Sequence, residues 1–416
     1  MNPRLRRLHI SRTDSPDGEI LVFHDPAGYA PDLALDAGFA PLLALMDGSR
    51  SIEQIAQIVR QSDPEMPDDW LAEFVAELDE HLLLDSPHFA RQRDARESDW
   101  HNMGVRPAAF AGRSYPDKPA DLNEFLVAKL AQGETRLPAR AYQPEDVRGI
   151  VTPHIDFHRG GHVETASYAP LIENVRATQK PFDTLVVFGI AHAGVSYPFC
   201  ALDKDFATPL GTMKCDQAFV ADLVERVGPQ LLAESLVHKD EHSIEFSAVL
   251  CQYFPELKSS QIVPILCGGF WESLRSGGAP ESAESQVGAF IEALREVTQQ
   301  HKAAGRKIGF IASVDGAHVG TQFGDDTPLT PAKLREIARE DRRWCAAIEA
   351  GDRASLHQHF ARDGNRFNVD AHPALYTIMA AFPDLRGQLL DTDQAYHKGP
   401  NIVVSFASLA LFEPSE

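Results

Sequence analysis

The sequence predicts an α/β fold in which helices flank a central sheet, with a small, mostly helical domain ahead of it. Apolar runs of strand length alternate with helical patterns from about residue 105 onward. Three of these runs end in a loop that carries histidine and glycine. The first ninety residues instead hold short amphipathic helices with a strand or two. We therefore expect a domain over residues 1–90, a linker over 91–104 and an α/β domain over 105–416.

Hydrophobic periodicity predicts one strand and three helices within residues 1–90. An apolar strand covers residues 19–24 and is followed by turn residues. Three amphipathic helices follow, over residues 39–46, 51–60 and 70–84. The next segment, residues 86–101, is strongly charged with little apolar periodicity, which is typical of a linker or a long surface helix.

The second domain opens with an irregular segment over residues 105–116 and then alternates helices with strands. Three strands end in the histidine loops: one opens the stretch 151–161 and ends at Pro153, and the others cover residues 184–189 and 307–314. Two more strands cover 261–266 and 401–407. Helices are expected over residues 118–132, 217–227, 283–301, 331–350 and 373–382, and a further one that has Glu241, His242 and Glu245 in or at the start of its first turn and continues to Phe254. This alternation is what an α/β domain requires.

Composition excludes several classes of protein. The 416 residues carry 39 basic and 60 acidic side chains, a net charge of -21, which argues against binding nucleic acid. No apolar run approaches the roughly 18 residues needed to span a bilayer, so we expect no membrane partner. The N-terminal arginines lack an apolar stretch behind them, and the five cysteines form no CxxC pair. Both features favour the cytoplasm.

The histidine loops predict one shared pocket. His154 follows the first of these strands in the sequence VTPHIDFHRGG, His192 follows the second in GIAHAG, and Asp315 with His318 follows the third in DGAHVG. Alternation along an extended segment would place His154, Asp156 and His158 on one face. Ligands of open α/β sheets bind where the carboxyl ends of strands release such loops.

These residue types suit a metal ion. Iron(II) enzymes that activate oxygen commonly use two histidines and one carboxylate, here His154, His192 and either Asp370 or Asp156. Zinc could use the same residues to activate water. A histidine near the metal but not bound to it could move a proton, and His318 is the candidate.

Two further motifs admit a structural or a functional interpretation. In KDEHSIEF, Glu241 and His242 either line the pocket or serve as helix caps and buried polar groups. Cys267 after its strand is a small buried hydrophobe or a nucleophile, with the first more common. In NVDAHP, Asp370 could equally cap the helix that follows.

The motif series resembles the Memo family. It runs in order from VRPAAFAGRSYP through PHIDFHRGG, GIAH, TPLG, DEHSIE, IVPILCG and SVDGAHVG to the NVDAHP segment, and covers roughly residue 105 to the C-terminus. The family is similar in fold to the class III extradiol dioxygenases, which implies a central mixed sheet flanked by helices. By this resemblance His154 and His192 are metal ligands and His318 matches the dioxygenase base.

The sequence departs from the family at the third ligand. Where the family usually has a cysteine before a glycine, this chain has NVDAHP, so Asp370 would replace the thiolate with an oxygen donor. Asp156 and His372 are the alternatives, and a degenerate site follows if none reaches the metal. The candidate catalytic residues are His318, Asp315, His242 and Glu241.

The resemblance also implies partners. Bacterial members are encoded beside a radical SAM enzyme and an AMMECR-type protein, the AmmeMemoRadiSam system. The motif LLALMDGSRSIEQIAQIV resembles PqqD-like and winged-helix modules, which dock peptides or partner enzymes. A helical cap is the alternative role for that domain.

We therefore expect a non-haem iron(II) oxygenase of extradiol type that acts on a small aromatic or peptide-derived substrate. The alternatives are a non-catalytic metal- or peptide-binding protein and a zinc-dependent hydrolase.

Overall fold

The computed structural model describes residues 2–16, 18–25, 28–62, 64–65, 67, 69–325 and 327–414. The chain divides into two compact units, Met1–Met103 and Gly104–Glu416. Within the described residues, no helix is both long and apolar enough to cross a membrane.

The first unit combines an antiparallel sheet with helices. Its strands pair in the order β1-β2-β3. The elements are β1 (His9–Ser15), β2 (Gly18–His24), β3 (Leu33–Asp36), α1 (Ala40–Leu43), α2 (Ile52–Ser62), α3 (Trp70–Glu80) and α4 (Pro87–Asn102). Its core is formed by apolar side chains of the sheet and helices, including Phe23, Ile55, Leu71 and Leu78. The sequence predicted a strand or two here, and the sheet of the described residues has three.

Most of the segment expected to be a linker, residues 91–104, lies in α4. The helix begins at Pro87, where the Ser86 hydroxyl accepts the Phe89 N–H at 3.1 Å. Phe89 and Trp100 are buried, so two apolar side chains fix a helix whose other positions are charged. Of the two alternatives that the charged composition allowed, the structure has the long helix.

The second unit is an α/β structure with a mixed sheet. Its strands are β4 (Val105–Arg106), β5 (Val147–Thr152), β6 (Thr184–Ile190), β7 (Phe199–Ala201), β8 (Asp205–Thr208), β9 (Gly211–Met213), β10 (Gln261–Cys267), β11 (Ile308–Ser313), β12 (His318–Gly320), β13 (Arg386–His397) and β14 (Ile402–Phe412). Its helices are α5 (Pro119–Glu134), α6 (Phe157–Ala166), α7 (Ala169–Thr178), α8 (Gln217–Val227), α9 (Glu245–Tyr253), α10 (Trp271–Ser276), α11 (Pro280–Ala283), α12 (Ser285–Ala303), α13 (Pro331–Ala350), α14 (Arg353–Ala361) and α15 (His372–Ala381).

The main sheet has the strand order β12-β14-β5-β11-β6-β10-β7, with β13 added beside β14. The centre, β5-β11-β6-β10, is parallel, whereas β14 and β7 join it antiparallel. Strands β6 and β11 are buried along nearly their whole length, because helices cover both faces of the sheet. This confirms the predicted α/β fold with a central mixed sheet flanked by helices.

The parallel centre positions the site. Strands β5, β11 and β6 run in the same direction, so the loops that follow them emerge at one edge. These loops carry His154, Asp315 and His192. A close approach fixes the neighbouring loop, since a Cβ on Gly189 of β6 would lie 2.5 Å from the Ser243 hydroxyl oxygen.

Candidate metal centre

His154 presents one ring nitrogen to the interior of the site. It follows the end of β5, and its side chain is 1% exposed. Its Nδ1–H donates to the Ser313 carbonyl at 2.8 Å, because a carbonyl oxygen can only accept. Its Nε2 has no hydrogen-bond partner among the described residues, although it lies 3.2 Å from Oδ2 of Asp370. A buried nitrogen held in this way has the geometry of a metal ligand.

His192 is oriented by a carboxylate. Its Nδ1–H donates to Glu241, whose two oxygens both lie 3.0 Å away. The His192 backbone N–H also donates to Glu241, at 3.1 Å. Its Nε2 lies 4.0 Å from Oδ2 of Asp370, and its side chain is 40% exposed. A carboxylate behind an imidazole is the usual support of a metal-bound histidine.

His242 completes a cluster of three histidines. The ligand atoms of His154, His192 and His242 all lie within 4.8 Å of one another. The His192 and His242 rings stack with centroids 4.8 Å apart, and Nδ1 of His242 lies 3.3 Å from Glu241. Glu241 therefore supports two of the three histidines. The residues 241–242 lie in an extended link before α9 rather than on the helix.

Asp370 is held from the opposite side. Its Oδ1 accepts the backbone N–H of Asp315 at 2.8 Å. Its Oδ2, which faces the two histidine nitrogens, has no hydrogen-bond partner within the part of the chain that the structure describes. Asp315 in turn accepts the backbone N–H groups of His154 and Ile155, at 3.0 and 3.2 Å. Asp315 thus ties the two ligand loops together.

The charges of the cluster are strongly coupled. Burial lowers the pKa of His154, but Asp315 and Asp370 outweigh it and raise that pKa to about 10. Burial likewise opposes the raised pKa of His192, for which Glu241 is responsible. Without metal, the acidic groups therefore hold a proton on His154.

Burial and neighbouring charges also set the pKa values of the other ionisable groups of the cluster. Burial lowers the pKa of His242 to about 3, although Glu241 opposes the shift. The histidines hold the pKa of Glu241 well below its usual range despite burial. Burial raises the pKa of Asp315, whereas at Asp370 the neighbouring His154 outweighs burial and lowers it.

His318 lies at the rim of the site. Its Nδ1–H lies 3.1 Å from the Gly316 carbonyl and 3.2 Å from the Asn368 carbonyl. Its ring contacts Phe323 edge to face, with centroids 5.1 Å apart. His318 is among the groups that lower the pKa of Asp370, so it lies within electrostatic reach of the cluster.

The two alternative third ligands lie elsewhere. Asp156 is the N-cap of α6, and its carboxylate accepts the His158 N–H at 2.8 Å. The chain turns helical directly after this cap, so the alternation of faces expected for residues 154–158 does not occur. His372 is buried against His357, whose Nδ1 lies 3.1 Å from its Nε2. The structure brings neither residue to the histidine cluster.

The sequence placed Glu241 and His242 among catalytic candidates and did not anticipate His242 as a ligand. The signal was the acidic-histidine pair in KDEHSIEF, next to a helix start. The sequence could not show that Glu241 and His242 both contact His192 in the folded protein. Cys267 is buried and burial raises the pKa of its thiol, which agrees with the small-hydrophobe interpretation.

Known proteins match this chain over the α/β unit that carries the histidine cluster. Residues 106–410 match the family model described as Memo-like protein. A MEMO1 family protein of Aquifex aeolicus is 27% identical over 419 residues, which cover 99% of this chain and 100% of that protein. A MEMO1 family protein of Methanocaldococcus jannaschii is 29% identical over 222 residues, or 52% of this chain and 71% of the relative. One from Thermococcus kodakarensis is 29% identical over 245 residues, or 58% and 74%.

Proposed function

This chain belongs to the Memo-like protein family, and from that premise we propose that it is a non-haem iron(II) enzyme of the class III extradiol type. The observation that carries the proposal is the pair of buried atoms Nε2 of His154 and Oδ2 of Asp370, which lie 3.2 Å apart and have no other hydrogen-bond partner among the described residues. Each is fixed from behind by a hydrogen bond, so both are aimed at one point. Two buried acceptor atoms that face each other must share a cation, which is a proton on His154 in the metal-free protein and would be the metal ion when one is bound.

The donor set favours iron(II). Two imidazoles from His154 and His192 with one carboxylate from Asp370 make the combination typical of non-haem iron oxygenases. Iron(II) held there would supply a redox-active Lewis acid with open coordination positions. The His192 side chain is 40% exposed, so the cluster can be reached from solvent, as an entering substrate requires.

The chain's own residues then have separate tasks. Glu241 orients His192 and His242, and Asp315 holds the backbone of His154. His318 donates its Nδ1–H to backbone carbonyls, which leaves Nε2 to accept or return a proton of the substrate. A small aromatic or peptide-derived compound with ionisable hydroxyl groups is the substrate class that needs such a proton acceptor.

The experiment that tests the proposal is metal analysis of protein purified without oxygen. We expect stoichiometric iron in the parent and a loss of iron in Asp370→Ala. The matched control is Asp156→Ala, which removes a nearby carboxylate that caps α6 and should keep its metal. Iron-loaded protein is then screened for oxygen uptake with catechols as probe substrates. Equal iron in both variants would reject Asp370 as a ligand.

A zinc-dependent hydrolase is the second candidate, and the three-histidine cluster is the observation that favours it. Three imidazoles with an open position suit zinc that activates water. Zinc in the purified protein, lost in His242→Ala and kept in Asp370→Ala, would support this assignment over the first.

The absence of both activities from a metal-loaded protein would favour a non-catalytic metal- or peptide-binding protein. We propose a radical SAM enzyme and an AMMECR-type protein as its partners, with the first unit as a PqqD-like docking module.

A further inference from the structure

Glu164 is a buried acid that the proposed chemistry does not use. It lies on α6 and is 1% exposed. Neither of its carboxyl oxygens has a hydrogen-bond partner among the described residues. An ionised carboxylate left in this state would be strongly destabilising, because burial removes the water that stabilises its charge. Some other arrangement must satisfy the group.

Two hydroxyl groups near Glu164 also keep unused hydrogen-bonding capacity. The Tyr168 hydroxyl and the Ser247 hydroxyl are fully buried and, apart from each other, have no hydrogen-bond partner in the described part of the chain. Tyr168 follows Glu164 by four residues, and Glu164 contributes to the raised pKa of its phenol, of which burial is the main cause. Ser247 on α9 lies against the same phenol. An unpartnered carboxyl group and two hydroxyls that face only each other thus share one interior region.

Among the described residues, no basic side chain forms an ion pair with Glu164. Burial raises its pKa well above the usual value, and the negative charges of Asp315 and Asp156 raise it further, while His154 opposes them. On the neighbouring α5, Lys129 donates its Nζ to the His158 carbonyl at 2.8 Å. His162 on α6 is paired with Asp393 of β13, with Nε2 and Oδ2 3.0 Å apart.

We infer that Glu164 is held as a neutral carboxylic acid behind the metal centre, and that enclosed water joins it to the hydroxyls of Tyr168 and Ser247. Water is the ligand that two hydroxyls and a neutral acid can bind, since each group both donates and accepts. The neutral acid keeps an exchangeable proton inside the wall of the site. The inference does not depend on which metal the site holds.

Infrared difference spectroscopy tests it directly. At neutral pH the parent should show the C=O band of a protonated carboxylic acid, shifted by exchange into D2O, and Glu164→Gln should lose that band. The matched control is Glu225→Gln, which alters an exposed glutamate on α8 and should leave the band unchanged. Tyr168→Phe should keep the band but shift its frequency. The spectra are recorded with and without iron(II).

Each alternative outcome is decisive. No band difference between the parent and Glu164→Gln would overturn the neutral acid. If sodium or potassium ions then raise the free energy of unfolding of the parent but not of this variant, Glu164 is instead an ionised carboxylate paired with a bound cation. An unshifted band in Tyr168→Phe would overturn the link through water.

The pH dependence of unfolding gives an independent measurement. A carboxyl group whose pKa is higher in the folded than in the unfolded protein stabilises the folded state. This stabilisation is complete at pH values below the pKa of the unfolded group, 4.5 for glutamate, and is lost as the pH rises above it. The unfolding constant of the parent should therefore rise relative to Glu164→Gln by about tenfold per pH unit above that value. A ratio that does not change with pH would contradict the neutral acid.

Discussion

Replacing Glu245 with glutamine should destabilise the second unit by breaking a fully buried ion pair. Arg106 and Glu245 are both 0% exposed and are joined by an ion pair. Glu245 also accepts the backbone N–H groups of Ala109 and Phe110, at 3.0 and 2.9 Å, and the Tyr115 hydroxyl. Its carboxylate therefore satisfies four donors from one segment of chain.

The magnitude follows from what glutamine can keep. The single side-chain oxygen of glutamine can still accept hydrogen bonds from some of the four donors. The NH2 group, however, would point at other donors and cannot accept from them, and Arg106 would lose its counter-charge. Removing one partner of a buried pair typically costs about 3–5 kcal/mol, because the other charge stays buried and uncompensated. We expect a loss in that range for Glu245→Gln.

The effect should reach the metal centre. Arg106 also donates to the carbonyl oxygens of His238 and Glu241, at 2.6 and 2.7 Å. Glu241 orients His192, so a displaced Arg106 should loosen the ligand as well as the fold. Metal affinity should therefore fall together with stability.

Urea unfolding followed by tryptophan fluorescence is the assay, with Trp344, which is 1% exposed, as the reporter in the second unit. Glu272→Gln is the matched control. It breaks an exposed pair with Arg275 and should change stability by less than about 0.5 kcal/mol. In Glu245→Gln/Arg106→Met, removal of both charges should recover part of the loss. A loss below about 1 kcal/mol in Glu245→Gln would refute the reasoning.

The remaining predictions concern the metal centre. His192→Ala should remove the metal measured by elemental analysis, whereas His318→Ala should keep it and abolish any turnover; metal retained in the first variant would reject the ligand assignment. Glu241→Gln should weaken metal binding about 10–100-fold in chelator competition, since it no longer orients the imidazole, and an unchanged affinity would count against that support. Burial lowers the pKa of His154, but nearby carboxylates raise it to about 10, so metal must displace a proton. Affinity should then rise about tenfold per pH unit from neutral toward that value, and a flat profile would show that no proton is displaced.

The sequence predicted the buried strands well because burial on both faces leaves an uninterrupted apolar run. Strands β6 and β10 are of this kind. It missed β1, whose residues HISRTDS are almost all exposed, so that no apolar face marks the strand. It also missed β13, which pairs with β14 at the margin of the sheet and is largely half-buried. Edge strands are specified by pairing with a neighbour, which a local pattern does not show.

The candidate site was predictable where a strand end fixes a residue's position. His154 and His192 follow parallel neighbours of β11, so their loops had to meet at one edge. The resemblance to the Memo family is confirmed, and it placed the same two residues. The approach of His242 was not predictable, because it depends on the turn from a 3-10 helix at residues 235–240 into α9. A short motif does not determine the direction of such a turn.

The two candidate donor sets differ in one ligand and therefore in charge. With Asp370 as the third ligand, the site contributes one negative charge to a dication, while His242 as third ligand contributes none. Asp315 and Glu241 lie behind the ligands in either case, and both are nearly fully buried. In a low-dielectric interior these carboxylates favour a dication over a proton at the same point. A proton held by His154 is then what a bound metal would displace, so the pH dependence of metal binding and the identity of the third ligand should be measured on the same protein.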